Sequence, residues 1–190
     1  MWMQKINKKN SGEQSKSSFN IPSKQTIYTD SSLGLDTIIP TTTGYKTMET
    51  IEVGDYVFGL DNNPVKVTQV HEIHKSMVYE LVFANDFYIT TIISDEIHRF
   101  PVTTKLRISP LDTDFFKSVQ CKDLQVYQSI IEGKRQNTLI SKTKLNKEKL
   151  VRCITIDSDY HIFLVSDTKT DWNGGNTYTG PAIYTYSTTY

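Results

Sequence analysis

The chain has 190 residues with 21 basic and 21 acidic side chains, so its formal net charge is zero. A balanced charge gives no support for nucleic-acid binding, and the length predicts one domain with tails. Neither a membrane span nor a secretory leader is expected, because the apolar runs are short and the first residues are polar. The two cysteines, Cys121 and Cys153, are expected to be free thiols, since nothing indicates an oxidising compartment.

Residues 1–25 are rich in Lys, Ser, Asn and Gln and predict a flexible arm. From Leu33 onward, short apolar segments alternate with turn signals such as Asp61-Asn62-Asn63-Pro64. Several segments alternate apolar and polar residues, as half-buried strands do, so the sequence predicts an all-β fold. The predicted strands are 26–29, 35–40 (stopped by its proline), 56–59, 65–71, 77–83, 87–93, 100–102, 127–131, 151–156 and 161–164. Other predicted pieces are an irregular or helical segment at 46–51, a loop or helical turn at 94–98, a short helix at 119–124, a loop at 133–137 and an exposed basic segment at 142–149.

Cys153 and His98 are the first candidates for chemistry. Cys153 lies in an apolar segment, where it could be a small buried hydrophobe or a nucleophile activated by a nearby base. His98 follows a polar turn and could be a structural histidine. Alternatively, Asp95, three residues earlier, could orient it as a general base.

Asn176 and Thr177 follow two glycines, which permit unusual backbone geometry. Taken alone, this dipeptide predicts a loop. However, an Asn side chain can attack its own backbone carbonyl and cleave the following peptide bond, and a Thr hydroxyl can accept an acyl group. His71 and His74 are three residues apart, but no cysteine or carboxylate cluster completes a metal site, so neither a metal nor a cofactor is expected.

Three motifs stand in order along the chain and together resemble those of inteins, the self-splicing Hint-fold domains. They are Leu33-Gly34-Leu35-Asp36-Thr37-Ile38-Ile39-Pro40-Thr41-Thr42-Thr43-Gly44-Tyr45 with Val53-Gly54-Asp55-Tyr56-Val57-Phe58-Gly59, then Asp95-Glu96-Ile97-His98-Arg99-Phe100, then Val151-Arg152-Cys153-Ile154-Thr155-Ile156-Asp157-Ser158 with His161-Ile162-Phe163-Leu164. The resemblance is greatest to phage-type mini-inteins that lack the usual first-position cysteine and use an internal one. Three departures are Phe100, where that group has tryptophan, Ser32 at position one, which is itself a possible nucleophile, and Gly175, where a penultimate histidine is usual.

The resemblance implies a horseshoe-like Hint fold of short strands, with a pseudo-two-fold arrangement and no homing endonuclease insertion. The Hint domain would span residues 32–176, between an N-terminal flank of 1–31, partly flexible, and a C-terminal flank of 177–190. The flanks would be the substrate of a monomer that binds neither nucleic acid nor membrane. The implied location is the cytoplasm of a phage's bacterial host.

The resemblance also implies a splicing reaction. The Cys153 thiolate would attack the carbonyl of Ser31, with Asp95 and His98 beside the bond that breaks. The Thr177 hydroxyl would take the acyl group and Asn176 would cyclise, with His161 replacing the missing penultimate histidine, to leave joined flanks of 45 residues.

Three alternatives stay open at the level of sequence. Ser32 could be the first nucleophile through an N-to-O acyl shift, which would make Cys153 structural. The domain could cleave without efficient ligation, because Gly175 weakens the asparagine step. It could also be a degenerate Hint fold that serves as a non-enzymatic interaction or virion module.

Overall fold

The structure, a computed structural model, describes residues 31–85, 89–103, 116–132, 135–165 and 183–188. Its strands are β1 Leu33–Gly34, β2 Ile38–Thr41, β3 Gly44–Thr47, β4 Tyr56–Phe58, β5 Pro64–Val70, β6 His74–Ala84, β7 Ile89–Asp95, β8 Arg99–Thr103, β9 Phe116–Gln120, β10 Ser129–Glu132, β11 Arg135–Arg152, β12 Ile154–Ile156, β13 Ile162–Val165 and β14 Ile183–Tyr186. Within these ranges the helical segments are two single 3-10 turns, Leu60–Asn62 and Cys121–Asp123. The all-β prediction is confirmed, and no helix in the described part could cross a membrane.

The strands form three antiparallel sheets. A seven-stranded sheet has the order β1-β7-β6-β11-β10-β8-β9, and a five-stranded sheet has the order β12-β5-β4-β2-β3. β13 and β14 form a two-stranded sheet. β1 pairs with β7 on one side and with β11 on the other, so β1, β7, β6 and β11 form a closed circuit. The start of β1 is therefore enclosed by pairing on both edges.

One main core joins the seven-stranded and five-stranded sheets. Successive side chains of a strand point to opposite faces, so Leu81 and Phe83 of β6 enter the core together and are fully buried. Phe100 of β8 packs against Phe83 with ring centroids 6.0 Å apart. Phe100 therefore anchors the second motif in the main core.

Two predictions about irregular segments are wrong. The predicted helix at 119–124 is the end of β9 followed by one 3-10 turn, and β11 begins at Arg135, inside the loop predicted at 133–137. The basic segment 142–149 belongs to β11 as well, since it pairs with β6. Long-range pairing supplies the hydrogen bonds here, and local sequence carries little signal for it.

Pro40 does not end its strand, contrary to prediction. It lies inside β2 and pairs with Tyr45 of β3. The contact between β2 and β4 is limited to Thr41 opposite Val57, so Pro40 has a strand neighbour on one side only. A proline is tolerated where its missing N–H faces no partner.

β14 follows the predicted end of the domain at residue 176, a boundary that stays a prediction. β14 pairs with β13 in the register Ile162 to Tyr186, and its residues Ile183 and Tyr184 are buried. Residues 176 and 177 themselves, like the strand predicted at 26–29, lie outside the described residues. The segments between described ranges are each too short to hold an additional domain.

Candidate active site

The peptide bond between Ser31 and Ser32 lies at the entrance to β1. Ser32 is fully buried, and its backbone N–H donates to Asp95 Oδ2 at 2.8 Å. In return, the backbone N–H of Asp95 donates to the backbone oxygen of Ser32 at 3.0 Å. The nitrogen of the bond predicted to break is therefore held by a carboxylate.

Asp95 also shapes the turn that leads to His98. Its Oδ1 accepts the backbone N–H groups of Ile97 at 3.1 Å and His98 at 2.7 Å, which is a common way for Asp to organise a turn. Burial raises the pKa of the Asp95 carboxyl to about 6, although the N–H groups of His98, Ser32 and Ile97 act in the opposite direction. The carboxylate form predominates at neutral pH and accepts these three donors.

His98 is buried and neutral. Burial lowers the pKa of its imidazole to about 4, while the nearby backbone of Ser31 opposes this effect. Nε2 shares a hydrogen bond with Oγ1 of Thr185, and that hydroxyl donates to the backbone oxygen of Arg99 at 3.2 Å. Nε2–H must then be the donor to Thr185, which leaves Nδ1 unprotonated. Nδ1 has no hydrogen-bond partner among the described residues.

Phe100, the residue that replaces tryptophan in the second motif, supports the imidazole. Its ring meets the ring of His98 edge-on, at a centroid distance of 5.1 Å and an angle of 72°. Phe100 is fully buried and packs on Phe83 behind it. The phenyl ring therefore holds the histidine from one side while Thr185 holds it through Nε2.

Cys153 lies where the chain passes from one sheet to the other. The sequence predicts one strand over 151–156, but β11 ends at Arg152 and β12 begins at Ile154. Leu33 pairs with Arg152 at the end of the β1–β11 ladder, so Ser32 and Cys153 are the residues that directly adjoin this last pair. Cys153 is only 3% exposed, so water has little access to its thiol.

The backbone around Cys153 is tied from both sides. Its carbonyl oxygen accepts the backbone N–H of His71 at 3.1 Å. The guanidinium of Arg152 donates to the backbone oxygens of His71 at 2.7 Å and Glu49 at 3.1 Å. These contacts join β5, β11 and the turn after β3, and they fix the backbone position of Cys153.

The second cysteine has a different environment. Cys121 is fully buried in the main core, and its backbone N–H donates to the backbone oxygen of His98 at 2.7 Å. Burial raises the pKa of its thiol to about 12. Because a thiolate is the nucleophilic form, Cys121 is a structural residue behind His98.

The strand β14 brings hydroxyl side chains to this site that the sequence reasoning missed. Besides Thr185, the chain presents Ser187 and Thr188, and all three are buried. The backbone N–H of Ser187 donates to the oxygen of His161 at 2.6 Å, and that of Thr188 to the oxygen of Ile154 at 3.0 Å. The alternation of apolar and polar residues from Ile183 could have indicated a strand.

His161 lies beside this C-terminal segment. It adopts a left-handed backbone conformation with φ 52°, at the end of the turn that follows β12. Its Nδ1 is buried and has no hydrogen-bond partner among the described residues. The residue that it faces across the ladder is Ser187, whereas the predicted pair Asn176 and Thr177 lies outside the described part of the chain.

His71, which the sequence placed three residues from His74, makes a hydrogen bond within the fold. Nε2 of His71 hydrogen-bonds with Oγ1 of Thr155 at 2.9 Å. Within the described ranges, no group of three His, Cys, Asp or Glu side chains is placed to hold a metal ion.

Taken together, the Ser31–Ser32 bond lies beside the Asp95 carboxylate and the neutral His98 imidazole. The Cys153 thiol belongs to the residue that follows Arg152, the β11 partner of Leu33. This set of groups is suited to acyl transfer from nitrogen to sulfur.

Comparison with known proteins bears on the family and the fold of the chain. Residues 38–178 match the family model described as "Pretoxin HINT domain". The replicative DNA helicase DnaB of Mycobacterium leprae (strain TN) is 33% identical over 78 residues, which is 40% of this chain and 12% of the helicase. The chain thus matches only a small part of that relative's length.

Three solved structures share the fold. The MchDnaB-1 intein has a TM-score of 0.60 at 22% identity, over 82% of this chain and 99% of that one. The DnaB intein from Synechocystis sp. PCC 6803 has 0.59 at 16% identity, over 83% and 99%. The bacterial intein-like domain from Clostridium thermocellum has 0.58 at 17% identity, over 82% and 98%. At these identities the likeness is one of fold.

Proposed function

Since this chain belongs to the pretoxin HINT domain family and has the intein fold, we propose that it cleaves its own Ser31–Ser32 bond through a thioester on Cys153. The observation that carries this proposal is the position of β1 between β7 and β11. Ser32 and Cys153 directly adjoin the last pair of the β1–β11 ladder, and the Ser32 nitrogen donates to Asp95, which supports attack by Cys153 at this bond. The reaction is a single turnover within one chain, and proximity replaces a cofactor.

The first step forms a carbon–sulfur bond and breaks a carbon–nitrogen bond. The Cys153 thiol transfers its proton to Nδ1 of His98, and the sulfur attacks the carbonyl carbon of Ser31. As the intermediate collapses, His98 returns the proton to the nitrogen of Ser32. The products are a thioester on Cys153 and a free amine on Ser32, so atoms and charge balance. A neutral His98 is the form required for this role.

Asp95 acts on the leaving group. Before cleavage, its carboxylate fixes the N–H of Ser32 and with it the orientation of the peptide plane. After cleavage, the same carboxylate faces the new amine and stabilises its protonated form. The first effect orients the bond, and the second favours the thioester side of an exchange that is otherwise uphill.

The second half of the reaction passes the acyl group to a hydroxyl. The sequence predicts Thr177 as acceptor, with cyclisation of Asn176 and ligation of the flanks. Cleavage without ligation is the alternative, because Gly175 stands where a histidine is usual. A competing first step uses the Ser32 hydroxyl, and mutation distinguishes it from attack by Cys153.

Intact mass spectrometry of the full chain tests the proposal. We expect the 190-residue chain to lose residues 1–31 over time, and a 45-residue product to form wherever ligation follows. Cys153→Ala should abolish both products. Cys121→Ala is the matched control, because it removes the other buried thiol, and it should retain cleavage.

Two results would contradict this mechanism. If Ser32→Ala abolishes cleavage while Cys153→Ala permits it, the serine is the first nucleophile. If the wild-type chain stays at 190 residues after long incubation at several pH values, the domain is a non-enzymatic module.

A further inference from the structure

The 3-10 turn after β9 supports the 95–98 turn, which carries the imidazole of the site. The backbone N–H of Cys121 donates to the backbone oxygen of His98 at 2.7 Å. The backbone N–H of Lys122 donates to the backbone oxygen of Glu96 at 2.9 Å. Because two backbone hydrogen bonds join the turns, a displacement of the 3-10 turn also displaces the backbone of His98.

The 3-10 turn is itself held by a side chain of β11, that of Lys142. Its Nζ donates to the backbone oxygen of Lys122 at 2.5 Å and to that of Leu124 at 3.0 Å. Carbonyl groups at the end of a helical turn lack partners within it, and an ammonium group satisfies them with charge-assisted hydrogen bonds. The same ammonium lies 5.0 Å from the centroid of the Tyr79 ring on β6, so Lys142 connects the turn to the large sheet.

Lys144, two residues further along β11, has a similar position but different partners. Residues two apart in a strand lie on the same face, and Nζ of Lys144 is 5.6 Å from the centroid of the Tyr79 ring. Its other contact is with a carboxylate oxygen of Glu96 at 4.0 Å, and both side chains are about half exposed, so this ion pair contributes little. The two lysines therefore differ in the pair of backbone oxygens that Lys142 binds.

We propose that Lys142 is a positioning residue for cleavage, which holds the imidazole of His98 beside the Ser31–Ser32 bond by fixing the 3-10 turn behind it. This assignment rests on the proposed function, because it gives Lys142 a part in that reaction. One strand then positions both reacting groups: β11 leads directly into Cys153 at its end, and in its middle it anchors the support of His98. Lys142 itself does not touch the reacting atoms.

The first test measures cleavage of the full chain by timed intact mass spectrometry. Lys142→Met keeps an apolar side chain over Tyr79 but removes the ammonium, and we expect cleavage at Ser31–Ser32 to slow about tenfold because His98 is held less firmly. Lys142→Arg should retain most of the wild-type rate, since a guanidinium can donate to both oxygens. Lys144→Met is the matched control and should cleave like the wild-type chain. Urea unfolding verifies that each variant is folded under the conditions of the assay.

The second test follows the imidazole of His98 by NMR titration in the Cys153→Ala chain, which stays intact. Burial lowers the pKa of His98 to about 4. Adding Lys142→Met should loosen the turn, admit water and raise this pKa toward 6.5. Adding Lys144→Met removes an equal charge and leaves Asp95 in place, so it shows how much of the rise comes from losing a cation alone. A purely stabilising Lys142 would change the unfolding midpoint and leave the titration of native His98 unaltered.

The outcomes separate this assignment from the proposed function. A normal cleavage rate in Lys142→Met, or equal slowing in Lys142→Met and Lys144→Met, overturns the role of Lys142 and leaves the thioester mechanism standing. A His98 pKa that responds equally to the two substitutions also overturns it. A wild-type chain that stays intact at Ser31–Ser32 overturns the proposed function, and with it the part of Lys142 in cleavage.

Discussion

Burial shifts the pKa values of two residues of the site, Asp95 and His98, in opposite directions. The pKa of Asp95 is raised from 3.8 to about 6, so the unfolded chain releases this proton first and stability falls as pH rises from about 4 to 6. The pKa of His98 is lowered from 6.5 to about 4, so the unfolded chain binds this proton first and stability rises over nearly the same range. Each effect is on the order of 3 kcal/mol, and the two oppose each other.

Single substitutions should separate these two effects. In Cys153→Ala, which keeps the chain intact, we expect the free energy of unfolding in urea to change little between pH 4.5 and 6. The reason is that the effects of Asp95 and His98 oppose each other. Adding Asp95→Asn should make the free energy of unfolding rise with pH by about 1–2 kcal/mol over that interval. Adding His98→Gln should make it fall by a similar amount.

The exposed neighbour Glu96 provides the control. Glu96→Gln should leave the pH slope of the parent unchanged, since its side chain is about half exposed at 51% and it makes none of the contacts to Ser32. Equal slopes in the Asp95→Asn and His98→Gln chains would show that these two groups are not the source of the effect.

The short strand β1 controls the site at the scale of elements. It has two residues, yet it pairs with both β7 and β11, and the residue before it, Ser32, donates its N–H to Asp95. Gly34 makes this fit possible. A Cβ at this position would lie 2.9 Å from the Cβ of Ile93 on β7 and 2.9 Å from Oδ1 of Asp36. The strand has no room for a side chain there.

Gly34→Ala should therefore separate Ser32 from Asp95. The added methyl group must move β1 away from β7, which carries Ser32 away from the Asp95 carboxylate. We expect a loss of about 1–3 kcal/mol in the free energy of unfolding and a fall of about 10²-fold in cleavage rate. Urea unfolding and timed intact mass spectrometry measure the two effects.

Gly54→Ala is the matched comparison for this variant. Gly54 has φ +98°, and nothing lies within 4 Å of an added Cβ, so the substitution strains the backbone without a clash. It should lower stability by about 1–3 kcal/mol and leave the cleavage rate of the folded protein unchanged. Similar cleavage rates in both variants would count against a role for β1 in alignment.

At the scale of the whole molecule, the C-terminal strand is part of one cooperative unit. Ile183 belongs to the main core, Tyr184 packs with Leu60 and Ile162, and Tyr184 also hydrogen-bonds with Asn62. β14 thus connects β13 to the 3-10 turn after β4. Its removal exposes apolar side chains from two clusters and takes the Thr185 hydroxyl from His98.

Truncation should reveal this dependence. In a Cys153→Ala background, a chain ending at Thr188 should unfold like the full-length chain, because it retains every contact of β14. A chain ending at Asn176 should lose about 3–6 kcal/mol, from the buried area of Ile183 and Tyr184 alone. Equal unfolding midpoints for the two truncated chains would mean that the fold is complete by residue 176.

The sequence correctly predicted the all-β fold, and through motif resemblance it predicted roles for Asp95, His98 and Cys153. These features depend on local patterns, namely strand periodicity, turn residues and short motifs. Such patterns can be read from the sequence because residues close together along the chain produce them. The same locality explains the errors at Pro40 and at 119–124. There, pairing with distant strands decided the conformation.

Only the tertiary structure decided which groups meet. The β1–β11 register pairs Leu33 with Arg152, residues about 120 apart in sequence, and so brings the chain at Ser32 near the chain at Cys153. The docking of β14 brings Thr185 to His98 and Thr188 to the residue after Cys153. The opposite pKa changes of Asp95 and His98 also arise from burial, which no motif records. Contacts between distant segments depend on the packing of the whole core. The arrangement of the candidate site could therefore be described only from the folded structure.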